Sequence, residues 1–597
     1  MSLKPKRVVL DYETTGLSPY VGARPFIAGI EDFNGKVDLC SSHLPSWSYA
    51  KKVIEDPTIE KICHNSKFEI KMSKHTGLKP AGKFHDTMGL SVLINEYQPL
   101  KLEELSKTFL GIGHKNEVQT WLKKSKKAFT VEYGRESNYS DIPDELLMPY
   151  LEKDLDATLK LFAMWHPHVS TYFPYLYNLE TDLAWDIVEM EDRGILIDIP
   201  YCERIIPKLR REQKALEKEI YKAAGKVLNL SSSKQVGEVL VELGIADYEV
   251  TTNKKGKEVY KVDTSYDTLK LSMEKHPFLN AFITWRTLEK MIGTYLIPFT
   301  QKACGNVLHP SFWQYGKNKA IVTGRFSSSD PNMQNIPKGI RGDKEALHKL
   351  GNVVRRAILP RPGYAFLFFD TKQIEMVIFT CNTGDKELIQ VIRNGGDIYV
   401  ANAERLFGKR HFAGLNEVGR KKLRYDAKEM SLSLIYGQGA TALSLKLKKS
   451  LMETRQLKRQ YFAGMPKARE FINKCQVELL SKGYIKDIFG RKYHVPTALA
   501  YKGVNAACQG PAATVMKRMI IKARQLKQYD VHPVLTIHDE LVCEVPIALV
   551  DKVAEIGKDL FSEKTLFAAP ISIDVEVSYT NWAEKKKWVK EEGTSTR

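Results

Sequence analysis

The chain has 597 residues, 43% of them hydrophobic, with 90 lysines and arginines against 71 aspartates and glutamates, a formal charge of +19. That length exceeds a single core and predicts several domains, and the basic excess favours a polyanionic partner, with solubility alone as the bland alternative. No apolar run reaches the ~20 residues of a membrane-spanning helix, and the eight cysteines form no CxxC pair, which speaks against a zinc knuckle or disulfide framework and for a reducing compartment.

The first residues, MSLKPKRVVLDYE, enter a strand-like run by Val8 and leave no room for a signal peptide; an organellar location stays open. Residues 7 to about 170 alternate β-like and helical stretches, as an α/β domain does. RVVLDYETTGL reads as a strand ending in a polar turn, and KICHNSKFEIKMSKHTG as a strand end followed by a helix. PDELLMPYLEKDLDATLKLFAMW has apolar residues at helical spacing, with Pro143 near its start. From about 175 to 310 the chain is helical and highly charged: IPKLRREQKALEKEIYKAAG predicts a long amphipathic helix, and NLSSSKQVGEVLVELGI a serine cap with a helix behind it. Beyond about 311, helices mix with strands such as YAFLFFD and VLTIHDELVCEV, and the final KKKWVKEEGTSTR is polar and expected to fray.

Three segments of the last half carry chemistry together. YAFLFFD places Asp370 at the mouth of a buried strand. VLTIHDELVCEV predicts a hairpin with Asp539 and Glu540 at its turn. Each acid alone is adequately explained as a strand cap, whereas two carboxylates on neighbouring strands can hold two divalent cations for phosphoryl transfer. Between them, Arg424, Lys428, Leu432 and Tyr436 recur every four residues and share one broad helical face. Cations at one end of that face suit a triphosphate, and an aromatic at the other suits a base or sugar.

The N-terminal region has its own set of acids. Asp11 and Glu13 lie two apart on a strand, so their side chains point the same way. Tyr150 and Asp154 are spaced i, i+4 on a helix, and Asn65, Phe68 and Glu69 lie in NSKFE. Carboxylates from three segments with a tyrosine make a two-metal hydrolysis site, the tyrosine orienting water.

Taken in order, TGRFSSSDPNMQNIP (323–337), DTKQIE (370–375), RYDAKEMSLSLIYG (424–437), NAACQG (505–510) and IHDELV (537–542) resemble the family A, DNA polymerase I-like enzymes. DYETTG, NSKFE and YLEKD resemble the DEDDy 3′–5′ exonuclease domains attached to them. The resemblance covers nearly the whole chain. It implies a multidomain α/β and α+β molecule: a ribonuclease H-like exonuclease domain over 1–172, a mainly helical thumb over 173–310, and palm and fingers over 311–597, with fingers at about 385–470. It implies Asp370 and Asp539 as metal-binding carboxylates with the Thr371 carbonyl, and Arg424 and Lys428 as the phosphate clamp, Lys428 also donating a proton to pyrophosphate. Glu375 resembles the gate against a ribose 2′-OH, and Tyr436 the residue stacking at the templating position. Gln373, Leu432 and Glu540 fall among the nucleotide-binding positions, and Arg325, Asn505, Gln509 and His538 among contacts to primer and template. In the exonuclease the metal-binding acids are Asp11, Glu13, Glu69 and Asp154, with Tyr150 as the catalytic tyrosine. Two Mg²⁺ ions per active site are implied, with Mn²⁺ as an alternative. The partners are primer–template DNA and dNTPs, with no membrane and with other replication proteins as candidate helpers, for a monomeric enzyme of DNA replication.

Several positions depart from the family pattern. Thr371 and Lys372 stand where Tyr and Ser are usual, Leu432 where Phe or Tyr is, and Tyr501 where Arg often is. Pro511 interrupts a helix and is expected to kink it. Glu69 stands where Asp is usual, and its extra methylene moves the carboxylate by about 1 Å, an error that can cost around 100-fold in rate; a weak or silent exonuclease in a repair enzyme is the alternative. Asp86, in HDTMGL, matches a recurrent acid of that domain, with a structural role as the alternative. The absence of a 5′ nuclease segment and of a large thumb insertion resembles bacteriophage polymerases, which implies a viral role in the host bacterial cytoplasm. A single-subunit RNA polymerase is opposed by Glu375 and the exonuclease residues. A degenerate scaffold or priming factor is opposed by retention of both aspartates with Arg424 and Lys428.

Overall fold

The computed structural model describes residues 6–113, 116–252, 258–265, 268–269, 276–336 and 352–590. Pro337, the end of the TGRFSSSDPNMQNIP segment, and the tail from 591, expected to fray, lie outside the described residues.

The N-terminal sheet has the order β3-β2-β1-β4-β5, with β1 Arg7–Thr14, β2 Pro25–Asp32, β3 Val37–Ser41, β4 Glu60–Cys63 and β5 Phe84–Asp86. β1, β2 and β3 pair antiparallel, whereas β1–β4 and β4–β5 are parallel. This mixed sheet is covered by helices, among them α1 Ser66–His75, α2 Thr87–Ile94 and α3 Asp144–Tyr172. It is the ribonuclease H-like arrangement expected. The strand, strand-end and helix readings of RVVLDYETTGL, KICHNSKFEIKMSKHTG and PDELLMPYLEKDLDATLKLFAMW are all met.

The helix α4 Pro174–Arg193 runs between this domain and the rest of the chain. Its acids face both ways. Glu191 accepts from Lys67 Nζ at 2.7 Å and Lys71 Nζ at 3.0 Å of α1. Glu180 accepts from Arg491 Nη2 and Lys517 Nζ, each at 2.6 Å. All six side chains are buried. Stripping one partner from such a pair leaves a buried charge, at a cost of about 3–5 kcal/mol, so these pairs fix the register of α4 against both neighbours.

Beyond α4, the amphipathic helix is found as α5 Ile199–Ala224, burying Cys202, Leu209, Gln213 and Ile220 along one side and packing on α6 Pro277–Lys290. Between them Ser232 caps the helix Ser233–Glu242, as its serine-rich approach predicts. The C-terminal half is built on a five-stranded antiparallel sheet of order β7-β8-β6-β9-β10: β6 Tyr364–Thr371, β7 His532–Ile537, β8 Glu540–Pro546, β9 Ile573–Ser578 and β10 Lys586–Lys587. Ala365 through Phe369 are fully buried or nearly so, which explains why β6 reads as a continuous apolar run rather than an alternating one. Helices fill the span from Ile374 to Lys482, including α7 Ile374–Thr383, α8 Ile398–Phe407 and α9 Glu417–Ile435. α10 Gly503–Lys522 crosses behind them.

α10 is assigned as one helix from Gly503 to Lys522, straight through Pro511. Proline removes the amide hydrogen that would reach the carbonyl of Ala507; Asn382 Nδ2 donates to that carbonyl at 3.2 Å. The orphaned acceptor is satisfied from outside, so the helix need not break.

Candidate active site

The C-terminal site forms where β6 meets the β7–β8 hairpin. Asp370 pairs in register with Glu540, and the turn between the strands is His538–Asp539, His538 having φ of 54°. The acids therefore sit at the same end of adjacent strands, as the hairpin reading requires. The Thr371 amide and hydroxyl both donate to the Asp539 carbonyl, at 2.9 and 3.1 Å. That pair of bonds ties the end of β6 to the turn. Glu540 takes a different place from its neighbour: buried, it accepts from Lys585 Nζ at 2.8 Å. Lys585 thus balances its charge within the sheet.

Glu375, near the start of α7, is the hub of the site. It is 7% exposed. Its Oε1 accepts from Arg325 Nη2 and, at 3.2 Å, from Gln509 Nε2 of α10; its Oε2 accepts from the Tyr436 hydroxyl at 2.7 Å. Arg325 Nη2 also reaches Asp539 Oδ1 at 3.5 Å, joining the hub to the hairpin acid. Burial pushes the Tyr436 hydroxyl above its usual pKa, and the Glu375 carboxylate adds to that, so Tyr436 stays protonated as a donor. Three residues singled out from separate motifs thus meet on one carboxylate. Gln373 sits just before α7 in the left-handed region, φ 54°, and its carbonyl accepts from the Met376 and Val377 amides. Leu432 is half-buried against the helical core around Met376 and Phe379. Asn505 lies one turn before Gln509, with a buried Oδ1 that has no hydrogen-bond partner among the described residues. Tyr501, partly exposed, packs so closely on Gly437 that a Cβ there would meet its ring at 2.6 Å.

Arg424 and Lys428 lie on α9 with Leu432, and Tyr436 caps that helix. Sequence reading missed what they rest on. Arg424 donates to Asp397, and both cations lie over the ring of Tyr399. The signal was in GGDIYV: an Asp after glycines and before an apolar helical run is an N-cap signature.

The N-terminal site gathers Asp11 and Glu13 from β1, Glu69 from α1, and Tyr150 and Asp154 from α3. Glu69 is 2% exposed, and its Oε2 is buried with no hydrogen-bond partner among the described residues. Burial holds its carboxyl well above the usual range, and the Asp11 carboxylate raises it further. Tyr150 is likewise pushed up by burial, then by Asp154, Tyr139 and Glu13, so it acts as a hydroxyl donor and not a base. Glu69 is thus within electrostatic range of Asp11, and Tyr150 of Asp154 and Glu13. Asp86 stands apart. Its carboxylate accepts from the Asn65, Ser66 and Met88 amides at 2.9–3.0 Å and caps the starts of both α1 and α2. These bonds fix the start of the helix that carries Glu69.

Among the described residues, no three His, Cys, Asp or Glu side chains converge as a preformed metal cage. Mg²⁺ is ordinarily held by one or two carboxylates with substrate phosphates and water, so the donor set decides the fit. Asp370 with Asp539 meets that need. So does the unpartnered Glu69 oxygen beside Asp11, a buried acceptor that a cation would satisfy. All eight cysteines are free, in line with the sequence reading, and no described helix is long and apolar enough to cross a membrane.

Comparison with known proteins agrees with this geometry. Residues 199–584 match the model of DNA polymerase family A, and residues 1–168 match a 3′–5′ exonuclease model. The chain belongs to DNA polymerase family A. The chain is 31% identical over 443 residues to the thermostable DNA polymerase I of Thermus filiformis, covering 72% of this chain and 50% of that protein. A longer match, 27% identical over 619 residues, to DNA polymerase I of Borreliella burgdorferi covers 97% of this chain and 63% of that protein. The chain thus spans about half to two thirds of these relatives' length. The POL domain of Pol1 from M. smegmatis, solved in complex with DNA primer-template and dNTP, superposes with a TM-score of 0.79 at 23% identity, covering 97% of this chain and 96% of that one. At that identity the likeness concerns the fold.

Proposed function

We propose that this family A chain is a template-directed DNA polymerase that extends a primer 3′-OH with dNTPs and proofreads with its N-terminal exonuclease domain. The observation that carries the reading is the Glu375 hub beside Asp539: Arg325, Gln509 and Tyr436 converge on one buried carboxylate at the mouth of the strands that bear Asp370 and Asp539. In this reading 1–172 is the exonuclease, 173–310 the thumb, and 311–597 the palm and fingers, the fingers centred on about 385–470.

Asp370, Asp539 and the Thr371 carbonyl would hold two Mg²⁺ ions. Those ions, when bound, supply Lewis-acid activation of the primer hydroxyl and charge neutralisation on the departing pyrophosphate. The chain's own groups do the rest. Arg424 and Lys428 orient the triphosphate, and Lys428 gives a proton to the leaving pyrophosphate. The Glu375 side chain, fixed on both oxygens, fills the space a ribose 2′-OH needs. In the exonuclease site Asp11, Glu13, Glu69 and Asp154 would hold the cations, and the Tyr150 hydroxyl orients water toward the terminal phosphodiester. DNA replication is the process this chemistry suits. The relatives named above are bacterial, and a bacteriophage source carries no weight in the proposal.

Primer extension with Mg²⁺ tests the reading. Template-directed addition of dNTPs, lost in Asp539→Ala while degradation of single-stranded DNA persists, supports it. Extension that survives Asp539→Ala refutes the assignment of the hairpin acid.

A further inference from the structure

Asp397 is the last residue before α8, and it uses its two oxygens for two tasks. Oδ1 accepts from the Tyr399 and Val400 amides at 2.8 and 3.3 Å, capping the helix. Oδ2 accepts from Arg424 Nε at 2.9 Å and Nη2 at 2.6 Å. A carboxylate fixed by its own helix cap thus grips one edge of the guanidinium and leaves the Nη1 edge turned away. Tyr399, one residue into that helix, is 5% exposed, and its ring lies under both Arg424, Cζ at 5.5 Å, and Lys428, Nζ at 5.8 Å. One aromatic face under two cations offsets their mutual repulsion and limits where each can point. Burial raises the Tyr399 hydroxyl, and the Glu375 and Tyr436 groups add to that. Tyr399 is thus within electrostatic reach of both the clamp and the Glu375 hub.

We propose that Asp397 and Tyr399 are positioning residues that aim Arg424 and Lys428 at the triphosphate of the incoming nucleotide. The inference rests on the polymerase reading of the site. A bidentate arginine presents phosphate donors in a set direction only when its own orientation is fixed. Asp397 fixes one edge and Tyr399 one face, which leaves the Nη1 edge for phosphate. The attraction between Asp397 and Arg424 lowers the net positive field of the site, yet it spares the nucleotide the entropy of ordering a long side chain.

Single-nucleotide incorporation on a primer–template, with Mg²⁺ and one dNTP, tests this in the full chain. Asp397→Asn keeps a capping oxygen, since Asn caps as well as Asp, and removes the charge that holds Arg424. The expected result is a dNTP KM raised about 10-fold with kcat changed much less, primer–template Kd unchanged, and inhibition by inorganic tripolyphosphate weakened in step. Tyr399→Leu, which leaves the cap untouched, raises the KM as well, and Tyr399→Phe restores it. The double variant with Arg424→Lys loses less than the sum of the single losses, because both remove one interaction. A wild-type or lowered KM in Asp397→Asn overturns the inference, as does additivity with Arg424→Lys. If the unsubstituted enzyme adds no dNTP at all, the polymerase reading itself fails; if it adds dNTP and the variants match it, this inference alone fails.

Discussion

In the C-terminal site the buried acid Glu375 is met by three protein donors, Arg325, Gln509 and Tyr436, whereas in the N-terminal site the buried acid Glu69 keeps one oxygen with none among the described residues. The first site carries its own cations, Arg325 at the hub and Arg424 and Lys428 on α9, and stands assembled around them. The second is a nest of carboxylates, whose burial and mutual repulsion push Glu69 toward its neutral form. A polar cluster satisfied by the protein is a rigid template for selecting a substrate. One left unsatisfied is a vacancy in charge that a bound cation fills. In the proposed function, selectivity for the sugar falls to the first arrangement and cation-dependent hydrolysis to the second.

That contrast can be broken or sharpened by substitution. The largest effect is expected at Asp370 or Asp539: alanine at either lowers extension by about 10³-fold or more, measured as single-turnover dNTP addition, with degradation of single-stranded DNA unaltered. Loss of both activities together would mean the two sites are one folding unit and not two machines. Next, Glu375→Ala opens the hub and lets ribonucleotides in; the dNTP-over-rNTP ratio of kcat/KM is expected to fall by about 10²-fold, and an unchanged ratio would remove Glu375 from sugar selection. In the exonuclease, Glu69→Asp withdraws the carboxylate by a methylene from a helix that Asp86 holds in place. Release of mononucleotides from a mismatched primer should drop by up to about 100-fold, and a faster exonuclease in this variant would show that Glu69 itself is the misplaced group.

A smaller effect follows from His85, on β5 next to Asp86. Its ring is buried, with Nδ1 on the Tyr177 hydroxyl and Nε2 on Glu60 at 3.2 Å, and with His166, Lys83 and Arg7 around it. Burial pushes its pKa down to about 4, despite Glu60. The folded state therefore binds fewer protons than the unfolded chain between pH 6.5 and about 4. The stability this confers is present above about pH 6.5 and is lost as pH falls toward 4, on the order of 2–3 kcal/mol. Thermal melts across that range should show His85→Gln to be less acid-sensitive than the parent; equal slopes would contradict the buried neutral histidine. The smallest expected effect is at Asn382→Ala, which strips the Ala507 carbonyl of its donor beside Pro511 and should cost about 1–2 kcal/mol in denaturant unfolding.

Much of this was legible in the chain because the chemistry is local. YAFLFFD and VLTIHDELVCEV state a buried strand and a hairpin through their apolar runs and the polar break between them. The face shared by Arg424, Lys428 and Leu432 follows from helical period alone. What stayed hidden is long-range. That Gln509, Arg325 and Tyr436, more than 180 residues apart at the extremes, meet on Glu375 depends on the packing of four elements. Asp86 resembles a site acid in its motif, and only the amides of Asn65, Ser66 and Met88 around it reveal a double cap. Pro511 leaves the Ala507 carbonyl without its helical donor, and only the fold brings Asn382 to it. Glu540 is indistinguishable from Asp539 in sequence, and the difference between them is one lysine 45 residues away.

The account stands on Glu375 as the gate of a DNA-synthesising site, and single-nucleotide addition of a dNTP against the matching rNTP, opposite one template base with Mg²⁺, tests it most directly. The expected result is template-directed addition of the deoxynucleotide, with the ribonucleotide disfavoured by at least about 10²-fold in kcat/KM. Equal use of the two, or no templated addition at all, would contradict it.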